Sequence, residues 1–467
     1  MEEPLTTVAR LCLPSAEQEQ ELQARVAVLL QQVQGLLDEL RIAATPMLVG
    51  SVPKGTFLRA PDIDLFVAFP VGTSEADLAS GVERIAARLL QGRQKRYAQH
   101  PYAWGWWRAP DEPETVPQLE VEVVPCYAVE SPTAHRSAVD RTPFHTRYVQ
   151  QHLPSERRTD VRFFKAWLKG IGCYGAEVAI QGISGYLAEL LVLRYGDFEA
   201  TVAAIAAWRL PLTLTLGPVA AVPKEDVPLV MVDPVDARRN AAAALSWEQA
   251  GRLRQAARDY LAAPDLRFFF PPLPPRGDVG ALQGQLQARG CGVVALQLPL
   301  PPLVPDVYWS QLHRVRGKVA ALLQREGFAL LGARAAVSED EAMATILWEV
   351  LPAQLPASVV HPGPPVGRGN EEEFLAKWQG HPRALGPPMV VEGRWQVTLE
   401  RPRRTPLQVL EAETERLELG KDLTPLIRQR GRWSAGADAV RSAPDQLAQL
   451  WAGPMPWRWL GPPLLPH

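Results

Sequence analysis

Cysteine is scarce in this chain of 467 residues, and the four present, Cys12, Cys126, Cys173 and Cys291, lie far apart with no C-x-x-C pair. That argues against structural zinc and against a disulfide framework, and a reducing cytoplasm is the expected location. Long apolar runs are missing as well. None approaches the ~18–20 residues needed to cross a bilayer, and the acidic start Met1-Glu2-Glu3 lacks the features of a signal peptide. No membrane partner is expected. An excess of one charge sign is also absent: 49 basic side chains face 51 acidic ones, for a formal net charge of −2. Lysine is scarce among the cations, so any nucleic-acid contact has to come from local arginine patches.

What the chain does have is enough length for roughly three domains and 47% hydrophobic residues, sufficient for ordinary cores. Ser15-Ala16-Glu17-Gln18 has the form of a capping box, and Leu22, Val26, Leu29, Val33, Leu36 and Leu40 follow at helical spacing. The stretch 45–49 reads as a first strand, 62–68 as a second, and 74–90 as a helix. Leu119 to Val124 alternates strictly and is expected to stop at Pro125. From 155 to about 263 the pattern is helical, with helices opening near Arg158 and at Gly182-Ile-Ser-Gly-Tyr186. Short proline-rich linkers at 271–275 and 299–305 bracket an apolar run at 292–298. A helix at 307–326 and strands at 329–337 and 342–351 follow, an order that fits a small α/β sandwich. Beyond Pro362-Gly363-Pro364-Pro365, Trp378 and Trp395 mix with Arg383, Arg394, Arg401, Arg403 and Arg404. That mixture suits stacking on RNA and neutralising it, and equally suits plain solubility.

The chemistry concentrates in Gly50-Ser51-Val52-Pro53-Lys54-Gly55-Thr56, followed by Asp62-Ile63-Asp64. A P-loop would need lysine directly after its second glycine, where Thr56 stands. Residues i and i+2 of a strand point to the same face, so Asp62 and Asp64 project together while Ile63, Leu65 and Val67 face the core. Paired carboxylates beside a glycine-serine turn fit a two-metal nucleotidyl-transfer site. Glu120 and Glu122 share the polar face of the 119–124 strand; if that strand pairs beside Asp62 and Asp64, one of them becomes a third carboxylate.

Further blocks accompany these: Glu122-Val-Val-Pro-Cys-Tyr127, Ser137 to His145, Arg162 to Lys165, Tyr174-Gly-Ala-Glu177, Gly182 to Glu189, and Asp233-Pro-Val-Asp-Ala-Arg-Arg239-Asn240. With them, the sequence resembles the archaeal-type, class I CCA-adding enzymes, the tRNA nucleotidyltransferases, over nearly its whole length. The resemblance implies an α+β multidomain fold: a polymerase-beta-like nucleotidyltransferase head over 1–150, a helical central (neck) domain over 151–270, an α/β body over 271–365 and a tRNA-binding tail over 366–467. It implies that Asp62, Asp64 and Glu122 are catalytic and hold two Mg²⁺ ions. It assigns nucleotide binding to Gly50, Ser51, Lys54, Thr142, His145, Lys165, Tyr174 and Arg239, with CTP, ATP and the tRNA acceptor arm as partners; a homodimer is compatible with it. Two positions depart from the family pattern: Glu122 stands where aspartate is usual, and Pro53 where a small residue is usual. The alternatives are a divergent transferase that adds part of CCA or tails other RNAs, and an RNA-binding homologue with a weakened transferase site.

Overall fold

The structure, a computed structural model, describes residues 3–97, 101–218, 222, 223 and 225–466. Two compact units divide the chain, one made of 1–273 with 455–467 and the other of 274–454.

The first unit opens with α1 (Pro4–Cys12), which the apolar pattern did not single out, and α2 (Ala16–Glu39), capped by the expected Ser15–Gln18 box. The buried stripe of α2 is Leu22, Val26, Leu29, Val33 and Leu37. Leu37 takes the place expected for Leu36 because the stripe steps by four after Val33, and Leu36 and Leu40 are only partly buried. The sheet is built from β1 (Thr45–Leu48), β2 (Ile63–Phe69), β3 (Gln91–Tyr97), β4 (Pro101–Trp107) and β5 (Leu119–Tyr127), in the order β1-β2-β5-β4-β3. The short helix α3 (Ser51–Lys54) follows β1, and α4 (Glu75–Leu89), capped by Ser74, follows β2. Strands β2 and β5 run parallel; the other neighbours are antiparallel. Helices α2 and α4 cover one face, where Leu29, Val33, Ile63, Leu65, Val67, Ile85, Val121 and Val123 share a core.

Strand β5 does not stop at Pro125 but runs on to Tyr127, with Pro125 beside Val67 of β2. The Tyr127 N–H points away from β2, to Asp140, and Ala128 N–H returns to Phe69 of β2. Pro125, two residues before Tyr127, therefore lacks its N–H on the side away from β2. There β4 has already ended its pairing at Ala103 opposite Val123, so no ladder bond is lost.

The same unit continues with α5 (Thr142–His152), α6 (Arg158–Gly170), α7 (Gly185–Tyr195), α8 (Phe198–Ala207) and α9 (Trp247–Ala262), with a two-stranded parallel pair, β6 (Leu212–Leu214) and β7 (Leu229–Met231). Phe164, Trp167, Phe198, Tyr260, Phe268 and Trp457 lie in one buried cluster. Trp457 stacks on Phe268 with ring centroids 5.7 Å apart and donates its indole N–H to Asp259 at 2.9 Å.

The second unit contains α10 (Val279–Arg289), β8 (Gly292–Pro299), α11 (Pro305–Arg325), β9 (Ala329–Val337), β10 (Met343–Leu351), β11 (Ser358–Pro365), α12 (Glu371–Trp378), β12 (Met389–Val391), β13 (Arg394–Glu400), α13 (Pro406–Glu413), α14 (Leu423–Arg430), β14 (Arg432–Ala435), α15 (Ala437–Ser442) and α16 (Pro444–Ala452). One sheet has the order β14-β8-β10-β9 and packs Val294, Leu296, Ile346 and Trp348 against Leu312, Val315 and Val319 of α11; the other has the order β11-β13-β12. The expected tail of 366–467 is not one piece. β14 pairs with β8 of the body sheet, and 455–467 belongs to the first unit. The arginine and tryptophan mixture also reads differently in three dimensions: Trp378 is buried against Val397 and Leu399, and Arg383, Arg394, Arg401 and Arg404 donate to backbone carbonyls. The accepting carbonyls belong to Glu400 of β13, Gly363 of β11, and Glu326 and Leu355 outside the strands, so these guanidiniums tie the chain to itself.

Candidate active site

The parallel register places Asp64 of β2 directly opposite Glu122 of β5, and Trp104 of β4 opposite Glu122 on its other side. Asp62 is exposed just before β2, Asp64 and Glu122 are half-buried, and Ile63 and Leu65 are fully buried on the core face. This is the alternation the sequence predicts. Glu120, the other acidic residue on that face, accepts a hydrogen bond from the Trp104 indole N–H.

Gly50 precedes α3 with φ of 73°, and a Cβ there would lie 1.7 Å from Asp64 Oδ2. Only glycine lets the loop backbone approach the carboxylate so closely. Burial first, then the neighbouring Asp62 charge, pushes the Asp64 carboxyl up to about 6, while Lys54 and Lys165 pull the other way. Among the described residues, no group of three or more His, Cys, Asp or Glu side chains is arranged to hold a metal ion, so Asp62, Asp64 and Glu122 do not form a ready-made site. The donor chemistry still fits a hard divalent cation: Asp62, Asp64 and Glu122 offer only oxygen, and a cation would relieve the repulsion that raises Asp64.

Lys54 and Lys165 meet through a residue to which the sequence reading gave no role. Glu189 of α7, fully buried, accepts from Lys54 Nζ at 2.6 Å, Lys165 Nζ at 3.0 Å and Thr56 Oγ1 at 2.5 Å. Burial works to raise the Glu189 carboxyl, and the two ammoniums overcome it, bringing it down to about 2. Burial pulls the Lys165 ammonium below its ordinary value against the Glu189 attraction. The Tyr174 hydroxyl stands beside this group: a Cβ on Gly185 would lie 3.0 Å from it and 3.7 Å from Lys165 Nζ. Burial first, then the charges of Glu189, Asp62 and Asp64, raises the Tyr174 phenol, which keeps its proton as a donor. Glu189 had one sequence signal, a lone carboxylate in the Leu-rich α7, since a charge on so apolar a helix requires a buried partner.

His145 and Arg239 converge on a second buried carboxylate, Asp233. It accepts from His145 Nε2 at 3.0 Å, the Tyr186 hydroxyl at 3.0 Å, Arg239 Nη1 at 2.7 Å and the Val235 N–H at 3.1 Å. Burial alone would raise Asp233; the bonds from His145, Val235 and Arg239 bring it down to about 2. Burial lowers His145 despite Asp233, so the imidazole is neutral near pH 7 and donates from Nε2. Its ring stacks on Tyr186, centroids 4.1 Å apart. Arg239, one-third exposed, also lines a cavity of about 470 Å³ with His135, Arg141 and Arg238. Thr142 opens α5; its N–H donates to the Val139 carbonyl and its own carbonyl accepts from Thr146 Oγ1 at 3.1 Å. Gln150 of the same helix donates to the Pro53 carbonyl at 2.9 Å, and Ser51 O accepts the Thr56 N–H, which fixes the loop that carries Lys54. The predicted residues thus form three neighbouring groups: Asp62, Asp64 and Glu122 with Gly50; Lys54, Lys165 and Tyr174 around Glu189; and His145 and Arg239 on Asp233.

Three family profiles match successive stretches of the chain: a nucleotidyltransferase domain over residues 32–145, the second domain of tRNA nucleotidyltransferase over 159–270, and the C-terminal domain of the CCA-adding enzyme over 289–434. A CCA-adding enzyme of Halobacterium salinarum is 37% identical over 394 residues, covering 84% of this chain and 84% of the relative. One from Methanothermobacter thermautotrophicus is 37% identical over 406 residues, covering 85% of each. One from Thermococcus gammatolerans is 37% identical over 348 residues, covering 71% of this chain and 74% of the relative. Matched by these profiles in succession and 37% identical to two relatives over 84% and 85% of its length, the chain belongs to the CCA-adding enzyme family.

Proposed function

We propose that this protein adds or repairs the 3′-terminal CCA of tRNA from CTP and ATP without a nucleic-acid template. The observation that carries the reading is the register of Asp64 opposite Glu122, with Asp62 at the strand's edge and the Gly50 backbone packed on Asp64. In this reading Asp62, Asp64 and Glu122 hold two Mg²⁺ ions, which when bound would acidify the attacking hydroxyl and stabilise charge on the leaving pyrophosphate. The 3′-oxygen of the tRNA forms a bond to the α-phosphorus of the nucleotide, the bond from that phosphorus to the β-phosphate bridge oxygen breaks, and pyrophosphate leaves. Glu122 is suited to accept the hydroxyl proton.

Ser51 and the loop after Gly50 bind the triphosphate in this reading, with Lys165 as a point charge and the protonated Tyr174 phenol as a directional donor. Thr142 and His145 serve the phosphates or sugar, and Arg239 presents a planar fork to the base. The Asp233 contacts support that reading, because they hold His145 and Arg239 oriented before any ligand arrives. Glu122 reaches one methylene further than aspartate would, so its carboxylate must turn inward from β5 to serve with Asp62 and Asp64. No helix of the described residues is long and apolar enough to cross a membrane; in this reading the protein acts in the cytoplasm, on tRNA.

The test is incubation of the protein and Mg²⁺ with tRNA transcripts ending before CCA, after C and after CC, each supplied with labelled CTP or ATP. Ordered addition of C, C and A, stopping there, is expected. Addition that stops short, or that continues past A, would move the reading to a partial tailing enzyme. No addition to any transcript would overturn it.

A further inference from the structure

Two lysines and one carboxylate share a buried space beside Asp64, and their charges do not balance. Lys54 is 6% exposed, Lys165 3% and Glu189 0%. Lys165 also donates to Thr56 at its carbonyl, 3.1 Å, and its hydroxyl, 3.0 Å, while that hydroxyl donates to Glu189. The cluster joins the loop after β1 to α6 and α7, with Glu189 lying 135 residues from Lys54 along the chain. A buried charge is ordinarily paired one to one, because an unpaired ion out of water is costly. Here one ammonium has no carboxylate of its own within the cluster. Its field reaches Asp64, and the Tyr174 hydroxyl opens on the same space.

We propose that Glu189 is a positioning residue for the nucleotide's phosphates: it fixes Lys54 and Lys165 in one cluster and cancels one of their two charges. A single net positive charge is thereby left for a polyphosphate anion. The inference rests on the nucleotidyl-transfer reading above and assigns a role to a residue that reading leaves unused. Glu189 itself touches no phosphate; it acts through the two lysines and, by Thr56, on the loop that carries Ser51.

The experiment measures equilibrium binding of CTP with Mg²⁺ to the full chain, tRNA omitted, for the wild type, Glu189→Gln, Lys54→Met and the double variant, with steady-state KM and kcat alongside. Lys54→Met leaves a neutral Lys165–Glu189 pair facing the phosphates. Glu189→Gln leaves two ammoniums sharing a neutral amide, so they repel and the loop loses its anchor. Each single change is expected to weaken CTP binding about tenfold, the scale of one charged hydrogen bond, and to raise KM more than it lowers kcat. The double variant restores one net positive charge, and its affinity is expected nearer the wild type than either single variant. A plain structural strut would give losses that add. Additive losses, or a fall in kcat without a change in affinity, overturn the proposal. Should Glu189→Gln fail to fold, Lys54→Met decides alone: unchanged CTP affinity in it overturns the proposal. A wild type that binds CTP but adds nothing to tRNA sinks the CCA reading and leaves this one standing; one that adds CCA while Lys54→Met keeps wild-type affinity sinks only this one.

Discussion

In the unit formed by 1–273 and 455–467, Lys54, Asp140, Arg162, Lys165, Glu189, Asp233 and Asp236 are all buried, whereas among the described residues of 274–454 Glu349 is the one charged residue in that state. Charge inside a protein costs stability unless each ion finds partners, and it becomes useful where a ligand's charge must be met by groups already in place. The first unit therefore carries preorganised ions in its interior, and the second, among its described residues, keeps its interior uncharged apart from Glu349.

The largest effect expected is on catalysis in the first unit. Asp64→Ala should lower the rate of nucleotide addition by about three orders of magnitude or more, since it removes a central carboxylate ligand; single-turnover assays reporting a near-normal rate would remove the basis for the contrast. In the second unit the matching change is to packing. Trp348 is fully buried, stacks on Trp433 at 5.8 Å and donates to the Arg316 carbonyl at 3.0 Å. Trp348→Ala should cost about 3–5 kcal/mol in that unit's unfolding transition. CTP affinity measured below the transition should stay at the wild-type value, and a tenfold loss there would blur the division of labour.

A smaller effect follows from Asp233. Asp233→Asn keeps the shape but removes the charge that holds His145, Tyr186 and Arg239, and is expected to reduce kcat/KM for CTP and ATP about a hundredfold, with the secondary structure unchanged by circular dichroism. The same carboxyl makes the first unit acid-sensitive. Its folded value, about 2, lies below the ordinary 3.8, so its contribution is present above about pH 4 and is lost as the pH falls toward 2. The size is roughly 2 kcal/mol. Denaturant titrations at pH 7 and pH 3 should show about half of that loss, roughly 1 kcal/mol, in the wild type and less in Asp233→Asn. The smallest effect is at the edge of the second unit: Arg383 donates to the Glu400 carbonyl at 3.1 Å from an exposed position. Arg383→Ala should shift stability by less than about 0.5 kcal/mol and leave KM for CTP unchanged. A change in KM for tRNA alone would make Arg383 part of an RNA-binding surface.

Periodicity made much of this legible. The capping box of α2, the alternation that turns Asp64 and Glu122 to one face, and the helix and two strands over 305–351 stand within one or two residues of where the sequence puts them. Local patterns failed where the partner was remote. Lys54 reads as a phosphate ligand in its loop, but its ion pair lies in a helix far down the chain, and no local signal links the two. Asp233 and Tyr186 stood inside recognised blocks without roles, because what they do depends on His145 approaching from another helix. The β3–β4 hairpin escaped notice because Gln91, Gly92, Arg93 and Gln94 on β3 have little apolar alternation. The arginine and tryptophan mixture was ambiguous for a different reason: composition cannot distinguish a guanidinium facing RNA from one closing on the chain's own carbonyls.

Trp457 sits in the helical core of the first unit, held by Phe268 and Asp259, while the residues between 274 and 454 fold as the other unit. During synthesis, then, residues 1–273 leave the ribosome before the tryptophan that packs on Phe268 in their core. Trp457 becomes available only after residues 274–454 have been made. A chain released before that point would carry every carboxylate and lysine described above on an unfinished core, so the order of translation itself withholds the fully packed first unit until the second has been made.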